Sequence, residues 1–271
     1  MPEFDRSTPV TVAVHTHSGK IDIHAEESAT VVADVVPLDG SDASRQAAEQ
    51  TVVALEGDTL MIRAPEKSGW TWRRSGRLGV TVRVPLDSSI AVKSASADLR
   101  ATGRFAEAQV AAGSGDVQVD DVTGSAHLGA ASGDVTVGRV GGSLRITNSS
   151  GDLTVGDVSG DVSADAASGD IEIGSAGGSV QAATASGDIE IGVVRRGETR
   201  VRSASGDVTV GVAAGTGVWL DVSTASGSTK NDLTMGGAEG SSGSAALHLR
   251  VRTASGDIQI RRVAEPFPAA A

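Results

Sequence analysis

Ser132-Gly133-Asp134-Val135-Thr136-Val137-Gly138 is the stretch that decides the fold. Its Ser-Gly-Asp head recurs, with serines at Ser114, Ser132, Ser150, Ser168, Ser186, Ser205 and Ser255. A degenerate copy, Ser96-Ala97-Asp98, precedes the series, and Ser226-Gly227-Ser228 falls between the last two. Successive gaps are 18, 18, 18, 18, 18, 19, 21 and 29 residues. A short fixed period marks a solenoid, in which each repeat is one unit stacked on the next. Within the repeat, Asp134-Val135-Thr136-Val137 alternates polar and aliphatic, the pattern of a strand with one buried face. The same two slots hold Val117 and Val119, Leu153 and Val155, Ile171 and Ile173, Ile189 and Ile191, Val208 and Val210, and Ile258 and Ile260. Nearly all are β-branched, as strands prefer.

Working outward, the segment before each Ser-Gly also alternates, with Ala126, Leu128 and Ala130 inward. These residues are smaller, so two sheets can lie close together. A third aliphatic row follows the second strand at Val122, Val140, Val158, Ala176 and Val194. Glycines fall about every nine residues, as at Gly151, Gly160 and Gly169, where turns use their freedom at positive φ. The expected fold is therefore an all-β, right-handed β-solenoid (β-helix) with 18-residue coils and two main strands per coil. About ten coils at ~4.8 Å each make a rod near 50 Å long. The left-handed hexapeptide helix also uses 18 residues per coil, but it needs an aliphatic residue every six. Stepping six from Leu128 meets Asp134, which cannot line a core unpaired.

Residues 1–88 read as N-terminal coils and a cap, and 89–271 as the regular repeats with an insertion near 228–247, in one continuous domain. Val12, Val14 and Ser18-Gly19-Lys20-Ile21-Asp22-Ile23 fit the template as a first coil, with Lys20 in the aspartate slot. Ser41–Gln50 is expected to form one short helix that covers the open N-terminal end. Strands are expected near Thr59–Arg63 and Gly79–Val84, and Pro266-Phe267-Pro268 is expected to close the far end.

The 271 residues carry 34 acidic and 23 basic side chains, a net charge of −11. An acidic chain of pI near 4.9 is not a general nucleic-acid binder. With no cysteine there is no disulfide framework, thiolate metal site or thiol nucleophile. Three Trp, three Phe and no Tyr suit a thin core of Val, Ile and Ala with no space for rings. No transmembrane run or signal peptide is visible, so the expected location is cytoplasmic. The hydrolase elbow, the phosphate-binding loop, the zinc-protease motif and the dinucleotide fingerprint are all missing, no motif calls for a cofactor, and no enzyme is expected.

Four constellations remain. The aspartates Asp98, Asp116, Asp134, Asp152, Asp170, Asp188, Asp207 and Asp257 would stack in a column, each fixing its corner by accepting a turn N–H. The weaker rival is a calcium ladder, which needs the fuller Gly-Gly-x-Gly-x-Asp motif. Lys93, Arg145, Arg200, Arg202, Arg250 and Arg252 fall on the outward side of the first strand, whereas Glu172 and Glu190 mark the second. Trp70, Trp72, Arg73, Arg74 and Arg77 form an aromatic-cationic segment, the candidate binding site for a partner. His15 and His17 share a strand face but lack a third metal ligand, so no metal site is assigned.

A Ser-Gly strand, a short helix, Val84-Pro85 and then repeats of Ser-Gly-Asp-[Val/Ile]-x-[Val/Ile] resemble the bacterial "putative adhesin" family of domains of unknown function. The resemblance implies a β-solenoid over nearly the whole chain. The expected function is a non-enzymatic, adhesin-like scaffold that displays its repeat faces for protein binding or self-association. The alternative is a polysaccharide-binding or polysaccharide-active β-helix, which would need a groove with converging carboxylates and a stacking ring.

Overall fold

The computed structural model describes residues 2–65, 76–233 and 246–263. A regular coil runs from the strand Ala126–Ser132 through a corner at Gly133-Asp134 into the strand Val135–Val140. A second corner at Gly141-Gly142 then delivers the chain to Leu144–Ser150, one layer on. Each strand pairs in parallel with its equivalent 18 residues away, as Ala126 with Leu144 and Val135 with Leu153. Strands such as Ala126–Ser132 build a first sheet, and strands such as Val135–Val140 build a second. Their inward rows meet in one continuous core. The period-2 alternation dictates this: Leu128, Ile146, Val137 and Val155 are buried, whereas Arg145, Thr136 and Thr154 between them are exposed.

One inward row turns polar at the Ser-Gly corner, where backbone carbonyls point into the core. The Asn148 amide donates to the Gly133 carbonyl at 2.9 Å and the Gly151 carbonyl at 3.2 Å. Buried Thr184 and Thr253 likewise donate to the carbonyls of Ser186 and Ser255, at 3.1 and 3.0 Å. Burying these groups is tolerated because each donor has a carbonyl acceptor: the Asn148 amide serves Gly133 and Gly151, and the threonine hydroxyls share the Ser186 and Ser255 carbonyls with the Gly169 and Gly206 N–H groups. The core also accepts one ring, contrary to the expectation from composition. Phe105 is fully buried in the slot that Val122 fills one coil later, beside a shift of register between Ala101 and Arg104 that widens the layer.

The ends depart from the expected order. Thr11–Glu26 is not the first layer. It pairs in parallel with Thr59–Arg63 and Leu78–Pro85 on one side and with Ser88–Ser114 on the other. At the far end the last coil, Leu247–Ser255 with Ile258–Val263, lies between the coil of Gly197–Ser205 and Val208–Ala213 and that of Val218–Ser226 and Thr229–Asn231. The two chain-terminal coils are thus internal to the stack, and both outermost layers come from inside the sequence. The physical gain is that each terminal coil has hydrogen-bonding neighbours on both edges, where a frayed terminus would otherwise form the edge. The described residues make eleven layers in all, about 48 Å from first to last at the parallel-strand spacing.

The N-terminal edge is covered further. Val52–Glu56 adds antiparallel to Thr59–Arg63, Thr30–Pro37 adds antiparallel to Leu78–Pro85, and Glu3–Asp5 adds to Thr30–Pro37. The helix Asp42–Gln50 packs on Thr30–Pro37 and Leu78–Pro85. Ser41 caps it by accepting the Ser44 N–H at 3.1 Å, and the buried Ser44 hydroxyl accepts the Arg77 N–H at 2.9 Å. The C-terminal layer is less enclosed: Val218, Leu220 and Val222 are only half-buried in rows that are fully buried elsewhere.

Candidate functional site

The aspartates form a ladder along one corner, but not through local turns. Each Oδ1 accepts the backbone N–H of the aspartate one layer on. Asp98 accepts from Asp116 at 3.2 Å, Asp116 from Asp134 at 3.0 Å and Asp134 from Asp152 at 2.9 Å. The series continues through Asp152, Asp170 and Asp188. Asp207 then accepts from Asp257 at 2.8 Å, and Asp257 from Ser228 at 2.7 Å. Like charges ~4.8 Å apart repel by about 0.9 kcal/mol per pair even at the dielectric of water, and each N–H offsets part of that. The ladder also explains the degenerate copy at Ser226-Gly227-Ser228. Ser228 lies in the outermost layer, so it donates to Asp257 but has no later aspartate N–H to accept. The hydrogen bonds from Ser228 hold the Asp257 carboxyl below the usual carboxylate range. Among the described residues no group of three His, Asp or Glu side chains is placed to hold a metal ion.

The outer face of the first sheet is basic. Lys93, Arg145, Arg200, Arg202 and Arg252 are exposed there, with Arg250 half-buried beside them. Glu198 pairs with Arg200 at 2.7 Å, and Asp221 is shared by Arg250 at 3.0 Å and Arg252 at 3.5 Å. Among the described residues Arg63, Lys93, Arg145 and Arg202 have no ion-pair partner. The second sheet is more nearly balanced, since Arg139 pairs with Asp121 at 2.7 Å and Arg261 with Glu190 at 2.8 Å.

The out-of-order layers bring Met61, Ala13 and Ala91 into one row and Arg63, His15 and Lys93 into the next. In the following layers the rows continue as Gln109, His127 and Arg145, and as Ala111, Gly129 and Thr147. A cavity of about 400 Å³ lies over this patch, and no Asp or Glu is among its described lining residues. His15 and His17 stack beside it with ring centroids 6.3 Å apart, rather than converging with a third ligand.

Trp70, Trp72, Arg73 and Arg74 lie outside the described residues, as do most of the 228–247 insertion and Pro266-Phe267-Pro268. Arg77 is exposed at the start of Leu78–Pro85, and its charge adds to the Ser41 and Ser44 hydrogen bonds that lower the Asp39 pKa to about 2. Sequence reasoning missed Arg63, His127 and Trp219. Trp219 is 46% exposed on the outermost first-sheet strand, its ring tilted by 37° against His248 with centroids 5.8 Å apart. Its signal was an aromatic in the outward phase between Val218 and Leu220.

Acid-base catalysis at neutral pH asks for a carboxyl raised toward neutrality. The carboxyls that move here, Asp39, Asp87 and Asp257, all move down. Hydrogen bonds from Ser41, Arg104 and Ser228 respectively are the main causes, and the three groups stand far apart in the fold.

An 18-residue parallel coil with a Ser-Gly-Asp corner, over nearly the full chain, matches the family profile Toastrack DUF4097 at residues 11–261. The chain belongs to the Toastrack family. The family is a domain of unknown function, and its β-solenoid is the fold described above. Among solved structures, the Toastrack chain is similar to a "putative adhesin" from Bacteroides fragilis NCTC 9343. Identity is 10% and the TM-score 0.51, over 97% of this chain and 95% of that one. It is also similar to a "putative adhesin" from Parabacteroides distasonis ATCC 8503, at 11% identity and a TM-score of 0.42, over 95% of each chain. A "putative lipid binding protein" from the same strain aligns at 15% identity and a TM-score of 0.42, over 97% of this chain and 95% of that one. The first of these likenesses is one of fold. No curated protein matches the Toastrack chain.

Proposed function

We propose that this Toastrack chain is a non-enzymatic interaction scaffold of the adhesin type, which holds an acidic protein surface against the basic face of its first sheet. The observation that carries this reading is the cluster Arg200, Arg202, Arg250 and Arg252, set on neighbouring strands and only partly balanced by Glu198 and Asp221. On a chain of charge −11 such a face is a local inversion of sign, and charge complementarity of that kind steers and orients association. The ladder supplies a matching surface. Each aspartate uses Oδ1 within the ladder and leaves its other oxygen for a partner, at the same ~4.8 Å step as the arginine rows. A second copy could therefore lay its aspartate corner along the arginine rows with charges in register.

Light scattering coupled to size exclusion tests this. At about 20 mM salt the mass is expected to rise with concentration above the 27.1 kDa monomer. Raising salt to about 300 mM, or substituting Arg202→Glu with Arg252→Glu, is expected to restore the monomer. A mass fixed at the monomer value in low salt, or growth that the charge reversal leaves intact, would overturn self-association.

A further inference from the structure

The patch over the N-terminal layers differs from the arginine cluster, because it has a floor as well as charge. Ala13 and Ala91 lie in one row and Ala111 and Gly129 in the next, so the small residues cross the sheet diagonally. Arg63, His15 and Lys93 stand on one side of that diagonal, and Gln109, His127 and Arg145 on the other. The result is a trough walled by cations on both sides.

Gly129 gives the second observation. The other glycines in the described strands have either a positive φ or a neighbouring atom at 3.0 Å or less from where a Cβ would lie. At Gly129 the φ is ordinary, and the nearest atom to an added Cβ is Thr147 Oγ1 at 3.5 Å. Nothing in the backbone requires glycine there, although glycine in a strand interior weakens the strand. What the missing side chain does is keep the floor of the trough open, as where a ligand comes close to the backbone.

The trough adjoins a second depression of about 530 Å³ that shares His127 and Arg145 and reaches Arg200. The lining there changes to Ser143, Ser163, Ser179 and Gln181, with the carboxylates Asp161 and Glu198. A ligand lying along both must offer anions to the first part and hydrogen-bond donors to the second. A polyphosphate offers acceptors alone and would meet Asp161 and Glu198 with like charge. A sugar chain bearing carboxylates offers both, since its hydroxyls can donate to Ser, Asp and Glu oxygens. We propose that this trough, from Arg63 to Arg145, binds an acidic oligosaccharide of the uronate type. Charge and hydroxyl contacts hold it: the stacking ring and converging carboxylates expected of a polysaccharide-active groove are not among the described residues that line the trough. The second depression reaches Arg200 and Glu198 of the self-association face, but Lys93, Gly129 and Arg145, which test the trough, lie outside the Arg202 and Arg252 pair that tests self-association, so the two readings fail separately.

The test is calorimetric titration of the full chain at low salt with hexagalacturonate, neutral maltohexaose and polyphosphate. Hexagalacturonate is expected to bind, more weakly as salt rises, and maltohexaose is not. Gly129→Val is expected to weaken binding at least about tenfold by filling the floor, while the melting temperature stays level or rises, because valine suits a strand. Lys93→Gln with Arg145→Gln is expected to cost about tenfold and to flatten the salt dependence, as loss of charge-assisted contacts would. No heat with hexagalacturonate at low salt, equal binding of maltohexaose, preference for polyphosphate, or indifference to both variants would overturn the proposal. The retained melting temperature of Gly129→Val separates loss of the site from loss of the fold.

Discussion

Gly115→Ala is expected to cost at least about 3 kcal/mol and to lower the melting temperature by roughly 6–12 °C. Gly115 turns the Ser-Gly-Asp corner at φ +116°, a conformation that a residue with a Cβ adopts only under strain. An added methyl would also lie 2.6 Å from the Ala97 carbonyl oxygen and 2.7 Å from its carbon, one layer below. The methyl cannot rotate away and its neighbour is backbone, so the layers must separate. Separation would stretch the bond from the Asp116 N–H to Asp98, together with the ladder pairing of Leu99 with Val117. Thermal unfolding followed by circular dichroism measures the effect, and Gly129→Val is the matching control. A melting temperature within about 2 °C of the parent would mean that the corners do not set the layer spacing.

Ile173→Asp is expected to abolish cooperative folding or to cost more than about 4 kcal/mol. Ile173 is wholly buried, in register with Val155 on one side and Ile191 on the other. A carboxylate there has no donor and no route to water, so it stays protonated in any folded form. Its pKa is then raised on folding, and the sign follows. Protons are bound more tightly in the folded state, so the damage is least at acid pH. It grows as pH rises through the ordinary aspartate range, where the unfolded chain ionises. The adjacent Glu172 points outward, so Glu172→Gln should leave stability within about 0.5 kcal/mol. Urea unfolding at acid and neutral pH reads both. Equal tolerance at 172 and 173 would contradict the inward-outward phase on which the core rests.

That phase was legible in the sequence. The five gaps of 18 and the Val/Ile pairs after each Ser-Gly-Asp fix coil length, strand parity and the corner glycines, because every layer repeats the same local chemistry. The order of layers at the ends was not legible, and the reason is the same repetition. Ile21, Leu99, Val208, Ile258 and their equivalents present the same aliphatic edge, so hydrophobic pattern cannot say which coil lies beside which. Only departures from the repeat carry that information. Ser228, an aspartate slot with no aspartate, marks a layer with nothing to hold beyond it. Lys20 misleads in the same slot: its layer is internal, and its amine turns to Asp22 at 2.9 Å. The trough was hidden for a related reason. Arg63, His15 and Lys93 are remote in sequence and meet only because Thr11–Glu26 is threaded between two later segments. The basic character of the first-sheet face was readable from outward positions alone, whereas its counter-ions Glu198 and Asp221 needed the register.

Layers stacked out of chain order are the central claim: the trough depends on them at one end and the last steps of the ladder at the other, and a cysteine-free chain allows the C-terminal order to be tested directly. Thr209 is in register with Gln259, and Gln259 with Lys230, so Thr209 and Lys230 are two layers apart. Neighbouring parallel strands place Cα atoms about 4.8 Å apart, within disulfide range, and two layers place them near 9.6 Å, beyond it. Under mild oxidation, Thr209→Cys with Gln259→Cys is expected to form an internal disulfide, and Thr209→Cys with Lys230→Cys is not. A disulfide in the second pair and none in the first would show layers stacked in chain order and would contradict the account.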